Sequence, residues 1–425
     1  MKKAVILAAG DSTRMLPLSA NQPKHLLPIA GKPLIFHTME ALEKAGIKET
    51  LVVYGYRADK LREVVESKVW KMSISFVNQK ERKGTAHAAG HAKKFVGKDD
   101  AILMNGDVLV GSGSFEGLIA YHEKGGYNFT LSTKPIEDPS LYGVVVVKKG
   151  KATSLIERPE PSDIVSNLVN AGIYAVSDSL WDAIDNTELS KRGEYEITDS
   201  ISKLIEQGNV GAYALPSWWL DVGKPWDLLK ANKQILENEK ERIEGTVEEG
   251  AVIKGNTIVE KGAVIKSGAY IEGPVFIGEN SVVGPNCYIR AYTSLGKKVK
   301  IGNAVEIKNS IIMDETNVGH LSYVGDSIIG QRSNFGAGTI TANLRHDNKS
   351  IYVTVKGKRF NSKRRKMGAI IGDDVKTGIG TSISPGIVIH QGARTGVGVI
   401  VSRDIEAHKL VIAKQEQVTM HADNK

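Results

Sequence analysis

The stretch AVIKGNTIVEKGAVIKSGAYIEGPVFIGENSVVGPNCYI, residues 251–289, carries an aliphatic residue at every sixth position: Ile253, Val259, Ile265, Ile271, Ile277, Val283 and Ile289. The series starts at Val247 and runs on without a miss through Leu295, Ile301 and Ile307. A period of six is neither the roughly 3.6 residues of a helix nor the simple alternation of a strand. It fits a β-solenoid, in which each hexapeptide supplies a short strand and a turn, and its aliphatic side chain stacks on the next coil. The phase slips by one at Ile312, Val318 and Val324, and again at Ile329 and Phe335. It resumes at Ile371, Ile383 and Ile389 after an interruption from about 344 to 368. Slips and interruptions are where such a scaffold can carry something other than packing.

Upstream the period changes. KAVILAAG, ETLVVYGY, MSISFVNQ and DAILMNGD have the length and composition of strands, and PLIFHTMEALEKAG, ADKLREVVESKVW and GTAHAAGHAKKF read as helices between them. This alternation predicts parallel strands with helical crossovers, an α/β sheet of Rossmann-like type covered on both faces. Ligands of such sheets gather at the carboxyl ends of the strands, where Gly10 to Lys24, Asp107 and Asp221 fall. PWDLLKANKQILENEKE, residues 225–241, predicts a connecting helix. The organisation expected is an α/β domain over 1–225, a linker helix over 226–245 and the solenoid over 246–412, with a basic insert at about 345–367 and a polar tail over 413–425.

The 425 residues contain one cysteine, Cys287. That excludes an internal disulfide framework and a cysteine-based zinc cluster, and it suits a reducing compartment. The apolar run before Asp11 is about seven residues long and lacks a cleavage pattern, so it reads as a strand and not as a leader. No stretch approaches the roughly 18 apolar residues of a membrane span, and the expected location is the cytoplasm. Of the net charge of +8, KGKRFNSKRRK, residues 356–366, supplies seven and leaves about +1 for the remainder. The basicity is local, and no nucleic-acid partner is expected from it.

LAAGDSTRM, residues 7–15, followed by NQPKHLLP, residues 21–28, ends a strand in a small-residue loop just ahead of the cations Arg14 and Lys24. Backbone N–H groups and paired cations of this kind suit phosphate oxygens. Together with QKERKGTAHA, MNGDV, YGVVVV, LIERP, NAGIY, GEYEITD and WLDVGKPWD in the same order, these motifs resemble the sugar-1-phosphate nucleotidylyltransferase family. The resemblance implies that Ala8, Ala9 and Gly10 cradle the nucleotide, and that Arg14 and Lys24 neutralise a triphosphate and its departing pyrophosphate. It implies that Gln79, with the backbone of Gly84 and Thr85, reads the pyrimidine of UTP, with dTTP the alternative. Asp107 and Asp221 would hold Mg²⁺, and Asn105, Gly143, Glu157, Arg158 and Asn170 would line the sugar-phosphate side. The chain departs from the pattern at Ser12, where a glycine is usual, and at Arg158, where a lysine is. His25, His37, His87 and His91 are assigned to helix surfaces and loops.

GHLSYVGDS, residues 319–327, and NFGAGTITAN, residues 334–343, resemble the acetyltransferase half of the bifunctional family that makes UDP-N-acetylglucosamine, most closely its archaeal branch. That half is a left-handed parallel β-helix of hexapeptide repeats, assembled as a homotrimer, which acetylates an amino-sugar-1-phosphate from acetyl-CoA. Carried over by position, His320 is the general base and Glu306 orients it or the sugar. Arg290 and Lys308 grip the sugar phosphate, Tyr323, Asn334, Asn343 and Lys349 hold the rest of the sugar, and the N–H of Ala337 donates to the oxyanion. The alternating YVTVKGKRF predicts a hairpin. The insert is read as a solvated or subunit-bridging arm, with contact of Lys363, Arg364, Arg365 and Lys366 to coenzyme A phosphates as the alternative. The rivals for the whole chain are a monofunctional nucleotidylyltransferase whose solenoid only trimerises or regulates it, and a non-enzymatic scaffold or translation-factor-like subunit that keeps both folds without the chemistry.

Overall fold

The structure, a computed structural model, describes residues 1–420. Residues 421–425 of the expected polar tail lie outside the described residues. The chain forms two compact units. The first comprises Met1–Ser12, Gln22–Leu27 and Lys32–Gly223, and the second Thr13–Asn21, Pro28–Gly31 and Lys224–Lys425.

The first unit is built on a nine-stranded sheet. From one edge, Ser73–Asn78, Glu49–Tyr54, Lys3–Ala8 and Ala101–Asn105 run parallel, as the alternation predicts. Beyond them the sheet is mixed and not parallel throughout. Leu168–Val176 is antiparallel to Ala101–Asn105 and to Phe129–Pro135, and Gly143–Lys148 and Lys151–Glu157 form an antiparallel hairpin. The hairpin arises because Lys149 and Gly150 adopt φ of 49° and 76°, the left-handed pair that a tight two-residue turn requires. Lys3–Ala8 is buried from Ala4 onward, and its continuous apolar run is that of a strand covered on both faces. GTAHAAGHAKKF makes two short helices, Thr85–Gly90 and Lys93–Val96, where one was expected.

The second unit is the parallel β-solenoid that the hexapeptides predict, the left-handed β-helix that the resemblance implies. Its short strands stack into three parallel sheets, one on each face of the coil. The first face runs from Arg242–Ile243 to Val388–Ile389, the second from Thr246–Val247 to Leu410–Val411, and the third from Val252–Lys254 to Ile400–Val401. The aliphatic residues spaced by six point inward and form one continuous core from Val259 to Ile405. Burying each such side chain contributes about 1.5–3 kcal/mol. Val247 departs from the expectation, at 39% exposed, because it belongs to the first coil and has no coil beneath it. The phase slips are coils shortened by a residue. Val259 stacks on Ile277 and Ile277 on Leu295, but Leu295 then meets Ile312 and Ile312 meets Ile329. Ile329 pairs directly with Ile371, so the whole insert leaves and re-enters at one corner of the stack. Cys287 lies in the core, and burial pushes its thiol up to about 12, which makes it an inert packing residue.

The predicted hairpin forms from Tyr352–Val355 and Lys358–Asn361, turning at Lys356 and Gly357. It is not a freely solvated arm. Ile351, Val353 and Val355 alternate inward and are buried, and Gly386 packs so closely that a Cβ there would lie 2.4 Å from the carbonyl of Tyr352. After the hairpin the basic run splits: Lys363 and Arg365 are exposed, while Arg364 and Lys366 turn inward and are half-buried. The expected linker helix is Asp227–Leu236. Its Asn232 is fully buried, and its Oδ1 accepts from the N–H of Ala30 at 2.8 Å and from Ser294 Oγ at 2.7 Å. Its Nδ2 donates to the carbonyl of Tyr292 at 2.8 Å, which leaves no polar atom of that amide unsatisfied.

Candidate functional sites

In the first unit, Lys3–Ala8 delivers Ala8, Ala9 and Gly10 to the carboxyl end of the parallel strands. Ser12 adopts a left-handed backbone (φ 57°), which glycine would take without strain, and its Oγ accepts the N–H of Lys24 at 3.0 Å. That conformation costs a non-glycine residue roughly 1–2 kcal/mol, which the hydrogen bond offsets in part. The ammonium of Lys24 pairs with the carboxylate of Asp107, and the two side chains are only 12% and 14% exposed. Beyond Asp107 the strand Val108–Val110 pairs antiparallel with Trp219–Asp221, so that Asp221 stands across from Val108. The N–H of Val222 donates to the carbonyl of Asp107 at 2.9 Å, and both acids therefore belong to one small ribbon. Among the described residues no group of three or more His, Cys, Asp or Glu could cage a metal. Two carboxylates completed by phosphate oxygens and water suit Mg²⁺. Arg14 lies exposed in the short turn Thr13–Met15, within a segment assigned to the second unit.

Gln79 follows the strand Ser73–Asn78 and is 3% exposed. Its Nε2 donates to the carbonyl of Gly84 at 3.2 Å and lies 2.9 Å from Nδ1 of His87. Gly84 (φ 111°) is pressed against Tyr195, whose carbonyl would sit 2.3 Å from a Cβ, and the hydroxyl of Thr85 accepts the N–H of Ile197. Gly143, Glu157 and Asn170 converge: a Cβ on Gly143 would lie 3.0 Å from Glu157 Oε2 and 3.6 Å from the Cβ of Asn170. Asn105 abuts Gly172, where a Cβ would meet its Nδ2 at 2.6 Å. Burial raises the carboxyl of Glu157, opposed by Arg192 and Arg158, each 3.7 Å away. Arg158 itself is exposed.

Arg192, which also holds Glu196, was not among the expected residues; its signal was the KR pair directly ahead of GEYEITD. Two histidines correct the surface assignment. His25 is 1% exposed beside Gly106, and burial, then the charge of Lys24, pushes it down to about 3. His87 is half-buried and bonded to Gln79.

In the second unit, five of the expected residues meet on the third face. Arg290 donates to Glu306 at 2.9 Å, and in the next coil Glu306 and Lys308 stand in register with Tyr323 and Gly325. Asn343 Nδ2 donates to the hydroxyl of Tyr323 at 3.0 Å and to Asp326 at 2.6 Å. Asp326, buried and unforeseen, is the hub. Asn309 donates to it at 2.7 Å, and the ammonium of Lys308 lies 3.7 Å away. Lys366, also unforeseen in this place, bridges to Leu344 beside Asn343. The ammonium of Lys308 is held below its ordinary value first by burial, against the pull of Asp326, with Lys366 and Arg290 adding to the effect.

His320 and Asn334 belong to the second face. His320 ends the strand Asn317–His320, is exposed, and its imidazole makes no hydrogen bond within the described residues. Its carbonyl is fixed by Ser322 Oγ at 2.7 Å and by the N–H of Gly338 at 3.4 Å, which draws the turn of Ala337 to it. Lys349 is exposed on the loop after Asn343, where its N–H donates to Asp347.

The sequence matches known proteins along nearly the whole chain. A relative from Methanococcus maripaludis named bifunctional protein GlmU is 43% identical over 98% of both chains. The chain belongs to the bifunctional GlmU family. Within that family a relative of the same name from Methanocaldococcus jannaschii is 42% identical over 98% of both chains. A bifunctional sugar-1-phosphate nucleotidylyltransferase/acetyltransferase from Sulfurisphaera tokodaii is 42% identical over 91% of this chain and 94% of its own. The nucleotidyl transferase family model matches residues 3–238, and that of the GMPPB C-terminal domain matches residues 271–391. Among solved structures, UDP-glucose pyrophosphorylase complexed with UDP-glucose shares the fold of the GlmU-family first half. It has a TM-score of 0.50 and 24% identity, and covers 56% of this chain and all of its own.

Proposed function

We propose that the chain is a bifunctional enzyme of UDP-N-acetylhexosamine formation. The solenoid acetylates glucosamine-1-phosphate, with galactosamine-1-phosphate a second acceptor, and the α/β unit transfers uridylyl from UTP to the N-acetylated product. The observation that carries this reading over a merely trimerising solenoid is the cluster of Arg290, Glu306, Lys308, Tyr323 and Asn343 on one face. A structural stack has no use for cations and hydrogen-bonding groups gathered there.

In the acetyl transfer, the sugar amine attacks the thioester carbonyl of acetyl-CoA. His320 takes the amine's proton, the N–H of Ala337 donates to the oxyanion, and the thiolate leaves. Arg290 and Lys308 hold the phosphate, while Tyr323, Asn343 and Asn334 hold the sugar. His320 and Asn334 stand on a different face from the others, which supports a trimer in which the second face of one chain meets the third face of its neighbour. In the uridylyl transfer, a phosphate oxygen of the sugar attacks the α-phosphorus in line and pyrophosphate departs. Lys24, and Arg14 by its motif, meet the triphosphate; Ala8, Ala9, Gly10, Gln79, Gly84 and Thr85 bind the nucleotide; Asn105, Gly143, Glu157, Arg158 and Asn170 face the sugar. Asp107 and Asp221 would hold Mg²⁺, which would supply further neutralisation of the phosphate oxygens.

Lys366, beside Lys308, is a further cation for the amino-sugar phosphate, whereas Lys349, expected on the rest of the sugar, sits out on the loop. Lys366→Met is expected to raise the KM for glucosamine-1-phosphate about tenfold with little change in kcat, the mark of lost ground-state binding, and Lys349→Met to raise it less. Steady-state thiol release measures both.

The test of the whole reading supplies the pure protein with glucosamine-1-phosphate, acetyl-CoA, UTP and Mg²⁺ and follows thiol and pyrophosphate separately. Both are expected. Pyrophosphate only with pre-acetylated sugar, and never thiol, would leave the monofunctional alternative.

A further inference from the structure

The amide of Gln79 is held in one orientation by two neighbours. Gly84's carbonyl oxygen can only accept, so the group 3.2 Å from it is the amide NH₂. The same NH₂ faces Nδ1 of His87 at 2.9 Å, which must then also accept. His87 is therefore neutral with its proton on Nε2, and the carbonyl oxygen of Gln79 is turned the other way. That Oε1 receives no hydrogen bond from the described residues and is not among the side-chain atoms sealed in the core. Both neighbours are themselves packed. Gly84 is clamped against Tyr195, and its carbonyl also accepts the N–H of Ala88 at 3.1 Å. The ring of His87 packs edge-on against that of His91, 4.9 Å away.

We propose that His87 is a positioning residue that fixes Gln79 as a hydrogen-bond acceptor, so that the nucleotide pocket selects a base carrying a ring N–H, uracil or thymine, over cytosine. The proposal rests on the uridylyl reading above and adds to it the source of base specificity. Uracil and thymine present N3–H where cytosine presents a lone pair. An Oε1 facing N3 bonds the first two and repels the third. If His87 were protonated or absent, the amide could turn over and offer an N–H instead, which suits cytosine. Burial holds His87 below its ordinary value, assisted by His91 and Lys83 and opposed by Glu81, and these are the charged groups that act on it. The acceptor form is thus present at neutral pH and is lost as pH falls through that lowered value.

The experiment measures kcat/KM for UTP and for CTP by pyrophosphate release, in the intact chain, with N-acetylglucosamine-1-phosphate as acceptor. Thiol release from the acetyltransferase half of the same molecule serves as the check on folding. His87→Leu is expected to lower the UTP-to-CTP ratio about tenfold, the discrimination one oriented hydrogen bond provides. His87→Asn places an acceptor oxygen near the position of Nδ1 and is expected to restore the ratio. The wild-type ratio should fall with pH below neutrality while that of His87→Asn stays level. A ratio within twofold of wild type in His87→Leu, with thiol release intact, overturns the proposal. Should His87→Leu lose both activities, a pH-independent wild-type ratio overturns it instead. A wild-type chain that releases thiol but no pyrophosphate from UTP defeats the uridylyl reading and this proposal with it, a result distinct from the other two.

Discussion

Lys24→Met is expected to slow pyrophosphate release by about 10²–10³-fold while leaving thiol release from acetyl-CoA within about twofold. The lysine ammonium lies against Asp107 with both side chains largely withdrawn from solvent. A cation in such a place acts through a low local dielectric and is already aimed before the phosphate charge develops, which is why one preorganised group is worth this much. Methionine keeps the length and apolar stem and removes only the charge. The same change takes from Asp107 its closest cation, so the α/β unit should also lose on the order of 3 kcal/mol of stability, as measured by denaturant unfolding. Adding Asp107→Asn is expected to recover much of that stability without recovering activity, because the two residues are directly coupled. Normal turnover in Lys24→Met would remove the lysine from the phosphate site.

His320→Ala is expected to do the reverse: thiol release falls by about 10²–10⁴-fold, the range that a positioned general base supplies, and pyrophosphate release with pre-acetylated sugar is unchanged. The ring is held out at the end of its strand by a left-handed residue, Leu321 (φ 48°), and by two hydrogen bonds to its own carbonyl. No side chain of the described residues occupies the imidazole, so it stands ready to bond a substrate amine. His320→Gln should be as poor as alanine, since it can hydrogen-bond but cannot take a proton at neutral pH. Activity in His320→Gln near that of the unaltered chain would show that the ring only positions the sugar.

The solenoid was legible because its core demands one aliphatic residue per face, a rule that composition and spacing display directly. The two successive slips were legible as well, and they are the two shortened coils. The parallel half of the first sheet followed from the alternation of runs, but its antiparallel half did not, because the hairpin at Lys149 and Gly150 looks in sequence like any basic loop. In the sites, the residues missed share a reason. Asp326 gathers Asn309, Asn343 and Lys308 from neighbouring coils, contacts that a linear reading cannot see. The pairing of Gln79 with His87 crosses the sharp turn at Gly84, and nothing in the spacing of the two marks it. Arg364 and Lys366 read as part of a charge run, which is ordinarily solvated. Only the buried alternation of Ile351, Val353 and Val355 draws that run inward.

The direct pairing of Ile329 with Ile371 bears on how such proteins diversify. The rungs on either side of the insert meet as though nothing lay between them, so the loop leaves the ladder intact. Chain length at that corner is decoupled from the register of the stack, so residues can differ there without breaking a rung. A tower of this design can change its chemistry one corner at a time.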